Sequence, residues 1–139
     1  MLRTRRKGRL RPQRRRGAAV AELAVCLPLL VLLVLATIEA CTMIYLKKSL
    51  TVAAYEAGRT SLMPGASSAN VKAQGQQVLD DRKVKGATIV LNPAAIEAAP
   101  EGTYLEVTVN APCESNTLLG TWFYTGRTLT ARATYKKEF

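Results

Sequence analysis

Two carboxylates, Glu22 and Glu39, interrupt an apolar stretch of this chain and are the residues best placed to do chemistry within it. A carboxylate at the centre of a bilayer costs about 2.5–3.5 kcal/mol, so each one needs a favourable environment. Glu22 has two interpretations. It is an interfacial residue at a helix N-terminus, favoured by the helix dipole, or it pairs with a cation such as a neighbouring chain's N-terminal amine. We expect water or a partner helix to solvate Glu39, which lies near the other end.

Three cysteines could supply redox chemistry. Cys26 falls inside the apolar stretch and is interpreted as a small apolar residue. Cys41 and Cys113 fall on the side predicted below to be exported, where disulfides persist. They could pair if the segment around Cys113 folds back onto the helix that carries Cys41. A free or intermolecular Cys113 is the alternative.

An aromatic triplet, Trp122-Phe123-Tyr124, is the one place where the sequence suggests a surface patch in the second half of the chain. Aromatic side chains dominate burial energetics, so the triplet could fill a small core. The alternative is a loop that binds a partner.

The residue types argue against an enzyme. The chain has no histidine, and we find no Gly-rich phosphate loop, zinc-ligand spacing or nucleophile motif. The acidic pair Asp80-Asp81 is followed by two basic residues and is interpreted as a solvated helix end. We therefore predict no catalytic residues, no metal and no cofactor.

The positive charge is concentrated at the N-terminus, where residues 1–16 carry nine basic side chains and no acidic one. The rest of the chain is nearly neutral, with eleven basic and ten acidic residues. A nucleic-acid-binding protein spreads its charge over a folded face, so this pattern predicts no nucleic-acid partner. A basic block beside an apolar run stays on the cytoplasmic side of a membrane.

The apolar run Ala18–Leu46 predicts one membrane helix, bounded by Arg16 and by Lys47-Lys48. At roughly 1.5 Å per residue it would extend about 43 Å, more than a hydrocarbon core of about 30 Å. The basic block predicts a single pass with the N-terminus inside and the C-terminus outside. A secretory signal peptide, cleaved after Val34-Leu35-Ala36, is the competing interpretation.

The chain therefore divides into a basic leader over residues 1–17, a membrane helix over residues 18–48 and an exported domain over residues 49–139. Apolar spacing predicts that the helix continues beyond the membrane and stops at Gly58. A second helix begins near Ser67, and alternating residues predict three strands. These are Ala87–Leu91, Thr103–Ala111 and Thr128–Tyr135. The expected fold is α+β, with a three-stranded antiparallel sheet against the helices.

Residues 14–59 resemble the N-terminal signature of TadE-like proteins, which are pilin-like, single-pass components of the tight-adherence (Tad, Flp) pilus system. The resemblance depends on the combined spacing of several elements. These are Gly17, Glu22, Leu27-Pro28, Ile38-Glu39, Tyr45 and the segment Ala53–Arg59.

The resemblance implies cleavage between Gly17 and Ala18 by a prepilin peptidase. It also implies that Glu22 is an assembly determinant, with Glu39 of the Ile-Glu pair as a second assembly residue. The partners would be the membrane, other pilin-like subunits and proteins of the Tad apparatus. The protein would lie in the inner membrane and carry a small pilin-like domain outside. The alternative is a secreted or signal-anchored binding domain unrelated to pili, cleaved near Ala36 or not at all.

Overall fold

The computed structural model describes residues 13–120 and 124–138. The chain forms two compact units, Met1–Thr37 and Ile38–Phe139, and each is described by itself. Two helices, three strands and one turn of 3-10 helix make up the secondary structure of the described residues. They are α1 (Gln13–Ser61), α2 (Ser68–Asp81), β1 (Thr88–Asn92), β2 (Tyr104–Pro112), the 3-10 turn (Glu114–Asn116) and β3 (Thr128–Lys136).

The second unit is an α+β domain with an antiparallel sheet in the order β1-β2-β3. Both the fold class and the three-stranded antiparallel sheet are confirmed. The predicted strand bounds differ from the observed ones by at most one residue, because the alternation of apolar and polar residues defines each strand well. Along β2 every second side chain is buried, beginning with Leu105 and ending with Ala111. This face forms one wall of the core.

The later part of α1 supplies the opposite wall. Its buried residues recur at three- and four-residue spacing, as the sequence predicts for an amphipathic helix. Leu50 is 0% exposed and lies in the middle of this series. The other members are Met43, Leu46, Ala53, Ala54 and Ala57. Small alanines in the last two turns of this face let neighbouring elements approach the helix closely.

Helix α2 begins where the sequence places its cap. The Ser67 side chain accepts a hydrogen bond from the Asn70 N–H at 3.3 Å, which satisfies one of the free donors of the first turn. Gly75 lies where α2 meets α1. A Cβ atom there would be 3.2 Å from the Ala57 Cβ and 2.7 Å from Ile89 Cδ1. The glycine that weakens the apolar pattern of α2 therefore permits its close packing.

The prediction that the first helix stops at Gly58 is wrong, since α1 continues to Ser61. Gly58 is buried, and a Cβ atom at this position would overlap the ring of Tyr135. The residue is thus a point of close approach between α1 and β3 and not a helix stop. Sequence alone does not distinguish these two uses of glycine.

Helix α1 and strand β3 run in the same direction through the second unit. The Lys47 ammonium donates to the Thr130 carbonyl, and the Tyr135 hydroxyl donates to the Tyr55 carbonyl at 3.2 Å. The pairing of Tyr104 with Lys136 places the start of β2 beside the end of β3. The domain therefore has one end at the beginning of β3 and an opposite end at Tyr104.

Candidate functional site

In the first unit, α1 exposes an uninterrupted series of large apolar side chains. Every large apolar residue from Val20 to Leu35 is exposed, and no residue of the most hydrophobic window is buried. Among the described residues, this helix is long and apolar enough to cross a membrane. Apolar surface of this extent needs a cover, which a bilayer or other apolar helices can provide.

The predicted processing site lies within α1. Gly17 has open space around it, with no atom within 4 Å of the position a Cβ would take, and Ala18 is exposed. Glu22 is one helical turn further on and is exposed too. All three residues are exposed and are therefore accessible to other molecules.

Glu39 is in a different environment from the one expected for it. Its side chain is 1% exposed, and one carboxylate oxygen accepts a hydrogen bond from the Leu119 N–H at 3.4 Å. The other oxygen is buried and has no hydrogen-bond partner among the described residues. A loop of the same chain therefore covers Glu39, where water or a partner helix was expected. The two residues are 80 positions apart, so no local signal pointed to this contact.

Of the predicted aromatic loop, Tyr124 alone lies within the described residues, and Trp122 and Phe123 lie outside them. Tyr124 is half-buried and packs against the core. It also borders an open apolar groove of about 400 Å³ along one side of α1. The other residues of the groove are Ala40, Met43, Ile44, Lys47, Lys48 and Leu129. The groove is an additional apolar surface that the sequence did not predict.

The three cysteines are free in the structure. Cys26 and Cys41 are exposed and Cys113 is buried, so the structure does not link Cys41 to Cys113. Burial raises the pKa of the Cys113 thiol. Because the thiolate is the form that attacks a disulfide, this shift slows exchange at Cys113. The pairing of the two residues stays a prediction.

A second polar cluster joins α2 to the loop before β2. The Ser68 hydroxyl donates to the Glu97 carboxylate at 2.6 Å, and the Ser68 N–H donates to the same oxygen at 3.1 Å. The Ser68 hydroxyl bond, aided by backbone N–H donors, lowers the pKa of Glu97. A carboxylate at a helix N-terminus is favoured by the helix dipole, so we assign Glu97 a structural role. No sequence motif marked it.

Residues 13–120 and 124–138 contain no cluster of three His, Cys, Asp or Glu side chains that could hold a metal ion. The candidate functional features of the described residues are therefore two surfaces and one buried contact. The surfaces are the exposed apolar helix with Glu22 and the apolar groove. The contact joins the buried Glu39 to the loop that carries Leu119.

The exposed apolar helix lies in a segment of the chain that matches a known protein family. Residues 17–59 match the family model for TadE-like protein. The resemblance to TadE-like proteins is thus confirmed over this segment, which covers the exposed apolar helix and the buried α1 residues from Met43 to Ala57. The TadE-like family is a structural family associated with the Tad pilus. No curated protein and no solved structure matches the chain.

Proposed function

We propose that this chain is a pilin-like, single-pass membrane protein that acts in the assembly of a Tad-type pilus or secretion apparatus. The match of residues 17–59 to TadE-like proteins carries the proposal. The exposed apolar face of α1 lies within that match and supports it. In this proposal the protein has no catalytic role. The apolar helix packs with the helices of other subunits, and the domain outside contacts proteins of the apparatus.

A prepilin peptidase would cleave the chain between Gly17 and Ala18. The family match begins at Gly17, the residue directly before this bond, and so supports a TadE-like segment that starts at the proposed cleavage point. The basic leader would keep the N-terminus in the cytoplasm until cleavage, because nine basic residues precede the apolar run Ala18–Leu46 and two directly follow it. The helix would then lie in the inner membrane, with the α+β domain exported.

Glu22 would direct assembly by pairing with the N-terminal amine of a neighbouring subunit. Cleavage after Gly17 would create that amine on Ala18, four residues from Glu22 in the same chain and free to meet the carboxylate of another copy. Opposite charges attract far more strongly in a low-dielectric environment than in water. Glu22 is exposed on α1, which leaves its carboxylate accessible to a neighbouring subunit and supports this role.

We expect Glu22→Gln to enter the membrane and to be processed, yet to lose partner association. The amide has the same size as the carboxylate but carries no charge, so the attraction to the amine is lost. Co-purification of untagged pilin-like subunits with a tagged copy should fall at least about tenfold, which corresponds to a pairing free energy of about 1.4 kcal/mol.

Glu22→Asp is the matched control, because it keeps the charge at the same position. It should restore a large part of the co-purification. Full association of the Glu22→Gln protein would show that Glu22 is an interfacial residue favoured by the helix dipole, with no role in assembly.

One observation favours the alternative of a secreted domain. The second compact unit begins at Ile38, two residues after Ala36, so signal-peptidase cleavage there would leave this unit intact. The two candidates differ in the first residue of the mature chain. It is Ala18 for the pilin-like protein and Thr37 for the secreted domain.

A further inference from the structure

Two adjacent leucines project from the loop that follows the 3-10 turn. Leu118 is 72% exposed and Leu119 is 45% exposed. We call residues 117–120 the dileucine loop. A single exposed leucine is ordinary on a protein surface, but two adjacent exposed leucines form an apolar patch that needs a cover. The position of the loop indicates what covers it.

The dileucine loop lies at the end of the domain where the chain arrives from its apolar segment. The Leu119 N–H donates to the buried Glu39 carboxylate at 3.4 Å. Glu39 is the second residue of the compact unit that begins at Ile38, and the residues just before Ile38 belong to the apolar run. If that run spans a membrane, Glu39 is only one residue into the unit that follows it, and the loop contacts Glu39.

The side chains around this end of the domain are of the types that membranes accept at their interface. Ile44 and Tyr45 are exposed on the next turns of α1, and the exposed Lys48 follows them. Aromatic residues favour the headgroup level, and long lysine side chains extend their charge to it over an apolar stem. The turns of α1 that follow Glu39 therefore carry exposed apolar, aromatic and basic groups.

We propose that the dileucine loop inserts Leu118 and Leu119 into the outer leaflet of the bilayer, at the boundary between headgroups and acyl chains. The inference rests on the membrane anchor of the proposed function. The loop is a second attachment to the membrane, and the Glu39 carboxylate positions it by accepting the Leu119 N–H.

Tryptophan fluorescence in lipid vesicles tests the insertion. The full chain with Trp122→Phe, which removes its only tryptophan, is the background. One tryptophan is then introduced by Leu118→Trp, by Tyr104→Trp or by Leu32→Trp. Each protein is placed in phosphatidylcholine vesicles, with or without bromine on the acyl chains close to the headgroups. Quenching by bromine reports contact with lipid, and quenching by iodide reports contact with water.

Tyr104 is the matched control, since it is 68% exposed but lies at the opposite end of the domain, beside Lys136. We expect several-fold stronger bromine quenching for Leu118→Trp than for Tyr104→Trp, with little iodide quenching. Leu119→Trp should give the same result and provides a second variant if the first does not fold.

The other outcomes overturn the inference in distinguishable ways. Iodide quenching of Leu118→Trp at the level of Tyr104→Trp would place the loop in water. Protection from both quenchers would mean that protein, such as a second copy of this chain, covers it. Absence of bromine quenching in Leu32→Trp would show that α1 does not span the bilayer, and would overturn the proposed anchor together with the inference.

Discussion

Replacement of Gly17 by leucine is expected to leave the chain as an unprocessed precursor. A peptidase binds its substrate in an extended conformation, whereas Gly17 lies within α1. Glycine is about 1 kcal/mol less favourable than alanine in a helix, so it eases local unwinding at the cleavage point. Leucine favours the helix and adds a bulky side chain beside the Gly17–Ala18 bond. The mass of the chain, measured after co-expression with a prepilin peptidase, should still include residues 1–17.

A second glycine of the predicted leader, Gly8, provides the matched control. Gly8→Leu makes the same chemical change far from the predicted cleavage point and should leave processing unchanged. Gly17→Ala, which adds one methyl group, tests how strictly the site requires glycine. Normal processing of the Gly17→Leu chain would contradict the assignment of this bond to the peptidase.

Replacement of Leu50 by alanine should lower the free energy of unfolding of the α+β domain by about 2–5 kcal/mol, the usual cost of truncating a buried leucine. Leu50 is 0% exposed, and it packs in the core between α1 and the sheet. Its truncation leaves a cavity where the helix should contact the strands. The midpoint of denaturant unfolding, followed by near-ultraviolet circular dichroism of the detergent-solubilised full chain, measures the change.

The neighbouring exposed residue Thr51 is the control for this measurement. Thr51→Ala truncates the next side chain along the same helix, on its exposed face. We expect it to change the free energy of unfolding by no more than about 0.5 kcal/mol. Equal unfolding midpoints for the Leu50→Ala and Thr51→Ala proteins would show that the later part of α1 does not pack on the sheet.

The strands and the core face of α1 could be predicted because each depends on a local pattern. Alternation along Thr103–Ala111 predicted β2 with an offset of one residue, and Leu46, Leu50 and Ala57 are buried as their spacing indicated. Gly58 shows the limit of such patterns. Its lack of a side chain suggested a helix stop, but the reason for it is the ring of Tyr135, which lies 77 residues later in the chain.

The candidate site also contains residues that the sequence could identify and contacts that it could not. Gly17 and Glu22 were identified from the spacing that resembles TadE-like proteins, and their roles stay predictions. The contact of Glu39 with the dileucine loop could not be predicted, because 80 residues separate the partners and a backbone N–H carries no sequence signal. The same holds for Ser68 and Glu97, whose hydrogen bonds join α2 to a distant loop.

The first residue of the mature protein tests the proposed function most directly. The full chain is expressed with a prepilin peptidase in a host that also has signal peptidase, and the membrane-bound product is analysed by N-terminal sequencing and intact mass. We predict that the mature chain begins at Ala18. A chain that begins at Thr37 would be a secreted domain, and a chain that begins at Met1 would be a plain membrane anchor. Either result would contradict a processed, pilin-like subunit.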